Sequence, residues 1–410
     1  MASICLTDQH RRTEFFHETI LINLSYWLNW LDDVKDADFI ASSHERNGII
    51  RAISYALNLG EKAWPLACQL ITTFSPYIER SGHWEIWSKV VTQAIAVADS
   101  VGDISGIADL SPLLARLLFW QSRFHEAVVY CRRAVTSARH IKSSFIEART
   151  YSNLGYFYTE QGNWLRAEVL CCHALNLFDQ LDHHHGQAHT KNHLGILYIW
   201  RSQWSKAEHH LKQACDIWQA MGDNNGLMYG LTNLGLLFVK TKQSEKALFY
   251  LKEALSLAEA TGETYRIGNI YLNIGLAYYL QSNFQEAETI TRQAEKIFQQ
   301  LANQPGRMHA LENLGIIYQA QQDWPQAITH LERALAGWRT LNKRQDEIQT
   351  IVHLATCELN KGNQDQAVLW INKSKQLCHQ YPQYRQYYQL PDQLEDISRR
   401  LFKNGSQKPG

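Results

Sequence analysis

One short motif returns along this chain at a fixed interval. Asn153-Leu154-Gly155 recurs as His193-Leu194-Gly195, Asn233-Leu234-Gly235, Asn273-Ile274-Gly275 and Asn313-Leu314-Gly315, and closes as His353-Leu354-Ala355. The interval is 40 residues each time, with no insertion or deletion. A period this strict constrains the fold more than any composition does. It requires a unit that packs on copies of itself, so that each copy meets the same neighbours in the same register.

The rest of the period identifies the unit. Ala167, Ala207, Ala247, Ala287, Ala327 and Ala367 keep the same spacing, as do Ala174, Ala214, Ala254, Ala294 and Ala334, with Ser374 last. Trp164, Trp204, Phe284 and Trp324 stand three residues before the first alanine. The pattern predicts two amphipathic helices per unit, joined by polar turns such as Gln161-Gly162-Asn163. Glycine costs about 1 kcal/mol relative to alanine inside a helix, so a glycine in five of these six first helices predicts close approach of helix axes there. Tyr158, Tyr198, Tyr278 and Tyr318 share one phase and are expected to line the same seam. Leu114, Ala115, Phe124, Ala127 and Ala134 fit one earlier unit. Trp84 and Ala94 fit another, with Trp87 where a small residue belongs and Pro76 predicting an irregular helix.

These landmarks resemble the tetratricopeptide repeat family over roughly residues 61 to 380. The resemblance implies an all-α fold, a right-handed superhelical solenoid of helix-turn-helix repeats. The expected organisation is a helical lead-in or cap over residues 1–60 and about eight 40-residue units over 61–380. A capping helix over 381–403 and a disordered tail over 404–410 follow. Trp27, Trp30 and Leu31 supply an apolar stripe to cover the first unit, and Leu394, Ile397 and Leu401 one face of the last helix. The 40-residue length is read as a spacer, clearest at Gly222-Asp223-Asn224-Asn225-Gly226. Such spacers resemble those of bacterial signalling repeats and kinesin light chains.

The N-terminal quarter, with His44-Glu45-Arg46-Asn47, Ala52, Tyr55-Ala56-Leu57, Gly60 and Arg80-Ser81-Gly82-His83-Trp84, is similar to the lead-in of the repeat sensor in bacterial STAND signalling ATPases of the NB-ARC type. Those ATPases need a GxxxxGK[ST] loop to cradle phosphates. The sequence contains none. The expectation is a sensor without its engine: a freestanding relative, a split partner or a derived adaptor.

Charge and chemistry narrow the function. Lysine plus arginine equals aspartate plus glutamate, 40 against 40. A nucleic-acid binder draws much of its affinity from a basic excess, so nucleic acid is not expected as a partner. Eight cysteines without a CxxC pair read as reduced, buried thiols. The first residues mix charge into their apolar stretch, and no apolar run is long enough to span a bilayer. The expected location is the cytoplasm. No nucleophile elbow, HExxH or glycine-rich phosphate loop is present, so no enzyme activity and no cofactor are expected.

In the family the first helix of each unit lines the concave groove. By that register the groove carries Arg149, Asn153, Tyr156, His189, Asn192, His193, Trp200, Tyr229, Asn233, Lys240, Asn269, Asn273, Tyr279, His309, Glu312, Asn313, Gln349 and His353. An asparagine both donates and accepts. The row Asn153, Asn233, Asn273 and Asn313 either holds the backbone of an extended peptide or stitches neighbouring helices, and one amide can do both. Kinesin light chains and bacterial pheromone receptors with such repeats imply the first use. A chaperone-type carboxylate clamp would need a second basic position where Tyr229 and Asn233 stand. His183, His184, His185, His189 and His193 have partial helical spacing for zinc, but only Asp182 adds a ligand nearby, and no metal is expected.

The reading is a non-catalytic module that binds a protein or peptide in its groove, an adaptor or sensor in bacterial signalling. The alternatives are a regulatory subunit switching a separate enzyme or effector complex (of signalling, defence or protease type) and a structural scaffold.

Overall fold

The computed structural model describes residues 2–33, 43–80, 83–381 and 399. Most of the expected capping helix of residues 381–403, and the whole tail 404–410, lie outside the described residues. Among the described residues there are eighteen α-helices and no strand. The chain divides into two compact units, Met1–Leu154 with Thr261–Glu263, and Gly155–Ala260 with Thr264–Gly410.

The first unit holds α1 (Ala2–Asp33), α2 (Ser43–Leu59), a 3-10 turn (Gly60–Lys62), α3 (Trp64–Arg80), α4 (Trp84–Val101), α5 (Ile104–Trp120) and α6 (Phe124–His140). α1 packs on α2 and α3. Leu24, Trp27 and Leu31 are buried there, and a side chain at Gly48 would collide with the Trp27 indole. α3 continues as a helix through Pro76. Trp87, in the place of a small residue, is fully buried with its ring centroid 5.5 Å from that of Phe74. Asp103, the residue that caps α5, accepts from Gly106 N at 2.9 Å and from Trp64 Nε1 at 2.7 Å.

α7 (Ser144–Glu160) spans the boundary. The second unit continues with α8 (Trp164–Gln180), α9 (His184–Trp200), α10 (Trp204–Met221), α11 (Asn224–Lys240) and α12 (Ser244–Ala260). It ends with α13 (Thr264–Leu280), α14 (Phe284–Gln300), α15 (Gln304–Ala320), α16 (Trp324–Thr340), α17 (Arg344–Lys361) and α18 (Gln364–Gln380). Each helix from α8 onward packs on the next. The first helices α9, α11, α13, α15 and α17 also pack on one another in series. They therefore form one continuous wall, and the second helices α10, α12, α14 and α16 make up the other side, each packed on the first helices before and after it.

The turns explain the strictness of the period. Every twentieth residue from Gly102 to Gly362 has positive φ, nine of them not glycine. Each follows a helix in the left-handed conformation, and at most of them the amide of the next residue bonds back across the turn, as Asp223 N does to Trp218 O at 2.9 Å. At several turns the side chain of the next residue caps the following helix. Asp223 and Asn303 accept from the amides of Gly226 and Gly306 at 2.9 and 2.7 Å. The segment Gly222–Gly226 is thus not a spacer loop. Gly222 ends α10, Asp223 caps α11, and Asn224 to Gly226 are the first turn of that helix. The unit is longer because its helices are long, 17 or 18 residues each from α8 to α18.

The periodic small residues sit in the seam between the two walls. Ala167, Ala207, Ala247, Ala287, Ala327 and Ala367 are all fully buried. A side chain on Gly195, Gly235 or Gly315 would strike Leu211, Leu251 or Leu331 of the second helix. Tyr158, Tyr198 and Tyr318 are buried in the same seam. Tyr198 donates to Glu168 Oε1 at 2.7 Å and Tyr318 to Glu288 Oε1 at 2.6 Å. The aromatics at the start of the second helices are only part-buried, and Trp204 is 36% exposed.

Candidate functional site: the inner face of the first helices

The residues assigned to a groove lie on the wall of first helices. Several are spent on the wall itself. Asn233 Nδ2 donates to Asn192 Oδ1 at 2.8 Å, joining α11 to α9. Asn313 Nδ2 reaches Leu272 O on α13 at 3.5 Å, and Asn273 Nδ2 turns to Asn269 O on its own helix at 3.3 Å. Asn192 is buried. Two amides of the row, Asn233 and Asn313, therefore stitch neighbouring first helices, and Asn233, Asn273 and Asn313 stay half-buried.

The histidines near the turn also have structural partners. His183 Nδ1 accepts from Gly186 N at 2.9 Å and so caps α9. His185 Nε2 lies 3.1 Å from Asp223 Oδ2, on the cap of α11. His189 meets the Trp218 ring edge to face at 5.1 Å, and His193 stacks on Tyr156 at 5.1 Å. Among the described residues no group of three or more histidine, cysteine, aspartate or glutamate side chains is arranged to hold a metal ion.

The positions facing away from the wall form two clusters in the second unit. In one, the Arg266 guanidinium sits over the Tyr229 ring at 3.2 Å. Tyr156 feels Tyr265 and Arg266 across the face, and burial pushes its phenol up first of all. In the other, residues from the ends of α7, α9 and α11 face α15 and α17. Lys240 Nζ lies 5.7 Å from the Trp200 ring centre. Trp200 packs, with Trp164, against the core of α17 and α18 around Ile348, Val352 and Ile371. Glu160 is raised by burial, countered by Lys343 and reinforced by Asp346. Side chains far apart in sequence thus come together.

Lys240 exposes surface to water, yet desolvation by its neighbours lowers its pKa, with Glu312 opposing. Glu312 is 8% exposed and its carboxyl is pushed up to about 8, by burial first and Asp346 second, against Thr350 and Lys240. His353 is pushed down to about 4 by burial and by Lys240. His309 is lowered too, by burial, and its ring packs on Trp338 at 4.7 Å. Near neutral pH both rings are uncharged.

Four residues of these two clusters escaped the sequence register. Glu160 is in phase with Trp200 and Lys240, 40 residues apart, and that spacing alone marks it. Arg266, Lys343 and Asp346 begin their helices, in what reads as turn sequence. Tyr279 is one residue out of phase; its ring lies 6.1 Å from Phe284, and Leu280 holds the place equivalent to Lys240. Arg149 and Asn153 belong to the first unit. There Arg149 lies 3.9 Å from Asp109 Oδ1 and 5.5 Å from the Phe145 ring centre, and Asn153 is half-buried.

Comparison with known proteins agrees with this architecture. No curated protein matches the sequence. Among solved structures, a Signal Transduction ATPase with Numerous Domains carrying a tetratricopeptide repeat sensor, from Pyrococcus horikoshii, matches with a TM-score of 0.56 at 15% identity. The match covers 92% of this chain and 55% of that protein, so this chain spans little more than half its length. A Rap protein complexed with Competence and Sporulation Factor matches with a TM-score of 0.56 at 16% identity, over 86% of this chain and 99% of that one. Aspartyl phosphate phosphatase F from Bacillus subtilis matches with a TM-score of 0.55 at 11% identity, over 87% and 93%. At these identities the likeness is one of fold. No described helix is long and apolar enough to cross a membrane. Sequence models of the tetratricopeptide repeat match residues 113–141, 146–220, 226–300 and 306–378, more than half of the chain, and the protein belongs to the tetratricopeptide repeat family.

Proposed function

We propose that this protein is a non-catalytic binding module whose second unit takes an extended peptide or protein segment along the inner face of its first helices. The observation that carries the reading is the pair of aromatic–cation contacts on that face, Trp200 with Lys240 and Tyr229 with Arg266, whose aromatic rings are only half-buried. Large aromatics beside polar groups make effective anchors because they bury area at little cost in side-chain entropy. The face is close to neutral, with Lys240, Lys343 and Arg266 set against Glu160 and Asp346, which suits a mixed peptide better than a polyanion. The Rap relative solved with Competence and Sporulation Factor has the same fold over most of this chain, and it lends the reading support by analogy of fold alone. A cytoplasmic setting in bacterial signalling goes with that analogy.

The test is selection of short peptides from a random display library on the full chain, followed by titration with the pair Trp200→Ala and Tyr229→Ala. The expected result is a loss of affinity of about tenfold or more. Selected peptides that bind the double variant as tightly as the natural chain place the site elsewhere.

A switching role extends this reading. Trp164 and Trp200 rest on the α17–α18 core, so an occupant of that face must share or displace those contacts. Small-angle X-ray scattering with and without a selected peptide separates the alternatives: a changed profile favours a regulatory subunit, an unchanged one a passive scaffold.

A further inference from the structure

Three junctions between successive repeats of the second unit carry a glutamate at the same place on the second helix: Glu168, Glu208 and Glu288. Two of them are closed by the protein itself. On α8, Glu168 accepts from Tyr198 Oη at 2.7 Å and from Arg201 Nη1 at 2.5 Å. Both donors come from the end of α9 and the turn after it. On α14, Glu288 Oε1 accepts from Tyr318 Oη at 2.6 Å and from Arg292 Nε at 2.8 Å. Each carboxylate thus meets a tyrosine hydroxyl of the following first helix and a guanidinium.

The junction at Glu208 keeps the acceptor and has neither donor. The tyrosine place holds Phe238, which carries no hydroxyl, and the place of Arg201 holds Thr241. The Thr241 hydroxyl turns back to α11, donating toward Leu237 O at 3.1 Å and Phe238 O at 3.4 Å, and accepts from Gln243 Nε2 at 3.0 Å. Glu208 Oε1 meets Lys212 Nζ of its own helix at 2.8 Å instead. That pair is open to water, with Glu208 38% and Lys212 51% exposed against 26% for Glu168. An exposed ion pair of this kind contributes little and yields readily to a better-placed donor.

Replacing an arginine by a threonine at this place also leaves room. Trp204, Glu208, Leu237, Phe238, Thr241 and Gln243 line a cleft of about 420 Å³, within the ~300–1,000 Å³ of small-ligand pockets. Trp204, Leu237 and Phe238 give it apolar walls, and an aromatic wall suits both an alkyl stem and a cation. The other charge beside it is Lys246, whose Nζ lies 5.3 Å from the Phe238 ring centre. Lys206 stands in the same way, 5.2 Å from the Tyr198 ring centre, next to an Arg201 that Glu168 holds. A lysine in this position is therefore compatible with a guanidinium on the carboxylate.

We propose that this cleft binds the guanidinium of an arginine side chain from a partner protein, in the place that Arg201 fills one repeat earlier. The cleft shares no residue with the inner-face clusters and stands independently of the peptide-groove reading. The planar fork of a guanidinium donates two parallel bonds to the Glu208 carboxylate, which an ammonium does not match. The alkyl stem lies against Trp204, and Lys212 turns out into water.

The experiment titrates N-acetylarginine methylamide against the full chain labelled with fluorotryptophan, followed by fluorine NMR, with Trp204→Phe identifying the Trp204 signal. That signal should move saturably, and the neutral citrulline counterpart should bind about tenfold more weakly or worse. Glu208→Gln should lower affinity for the arginine probe about tenfold and leave the citrulline probe unaffected. Lys212→Met, which removes the competing cation, should raise it about threefold. Thr241→Arg with Phe238→Tyr rebuilds the junction of Glu168, fills the cleft from within and should abolish binding. If that double variant does not fold by circular dichroism, Thr241→Arg alone decides by the same criterion. The proposal is overturned by a Trp204 signal that stays still up to the solubility of the probe, or by equal affinity for arginine and citrulline. Binding that survives Thr241→Arg, or that weakens on Lys212→Met, overturns it too. Free arginine binding much more tightly than the capped probe would make the cleft a site for the amino acid and overturn the partner side chain.

Discussion

Two surfaces of the second unit share the same 40-residue period and use it in opposite ways. In the seam between the walls, Gly195, Gly235 and Gly315 each face a leucine of the second helix, and the alanines beside them are fully buried. On the inner face, the places equivalent to Trp200 are Glu160, Lys240, Leu280, Ala320 and Asn360. The backbone geometry is common to both. What differs is the constraint. A seam side chain touches the same atoms in every unit, so one shape fits all. An inner-face side chain touches water, residues from distant helices, or whatever the protein binds, and nothing requires those to repeat. Packing is written as repetition in this chain, and recognition as departure from it.

The sharpest way to break this comparison is to remove a large seam residue and a large inner-face residue from adjacent helices. Trp218 is fully buried, and any side chain at Gly226 would strike its indole. Trp218→Ala should cost about 3–5 kcal/mol. Lys240→Ala, on a side chain that gains little from its desolvated position, should change stability by no more than about 0.5 kcal/mol. Urea unfolding followed by circular dichroism measures both. Comparable losses would mean that the inner face is part of the core and not a surface held for a partner.

The same contrast explains what could be read from the residues. The helix pairs, their phase and the buried seam follow from glycine and alanine recurring among bulky apolar positions. The turn at Gly222–Gly226 misleads because glycine, aspartate and asparagine there fit a loop equally well. Gly226 is small for a different reason, to admit Trp218, and Asp223 is polar in order to cap α11. The inner face is legible only one helix at a time. Register places Trp200 and Glu312 on it, but nothing local tells that α9 and α11 end opposite α17. Glu160, Lys343 and Asp346 acquire their meaning from that meeting.

An intermediate effect tests where the seam's logic ends. The bond from Asn233 Nδ2 to Asn192 Oδ1 joins two first helices on the inner side. In a double-mutant cycle, Asn192→Ala and Asn233→Ala should show a coupling of about 1 kcal/mol in stability. A coupling near zero would release Asn233 from the wall and return it to the residues held for a ligand. Peptide affinity of the Asn233→Ala variant, measured alongside, shows whether one amide serves both purposes.

The smallest effect concerns the turns, which belong to neither surface. Ala302 has φ of 52°, in the left-handed region where a Cβ is crowded by its own backbone. At the equivalent turns, Gly222 and Gly362 meet the same demand without that strain. Ala302→Gly should therefore stabilise by about 0.5 kcal/mol: relief of the strain exceeds the extra freedom glycine gives the unfolded chain. Thermal unfolding reads the sign. Stability in a repeat array is close to a sum of local and nearest-neighbour terms, so the gain should leave peptide affinity unchanged. A gain in stability accompanied by altered binding would show that the turn sets the pitch of α15, where Glu312 and His309 sit, and that seam and inner face are less separable than their sequences suggest.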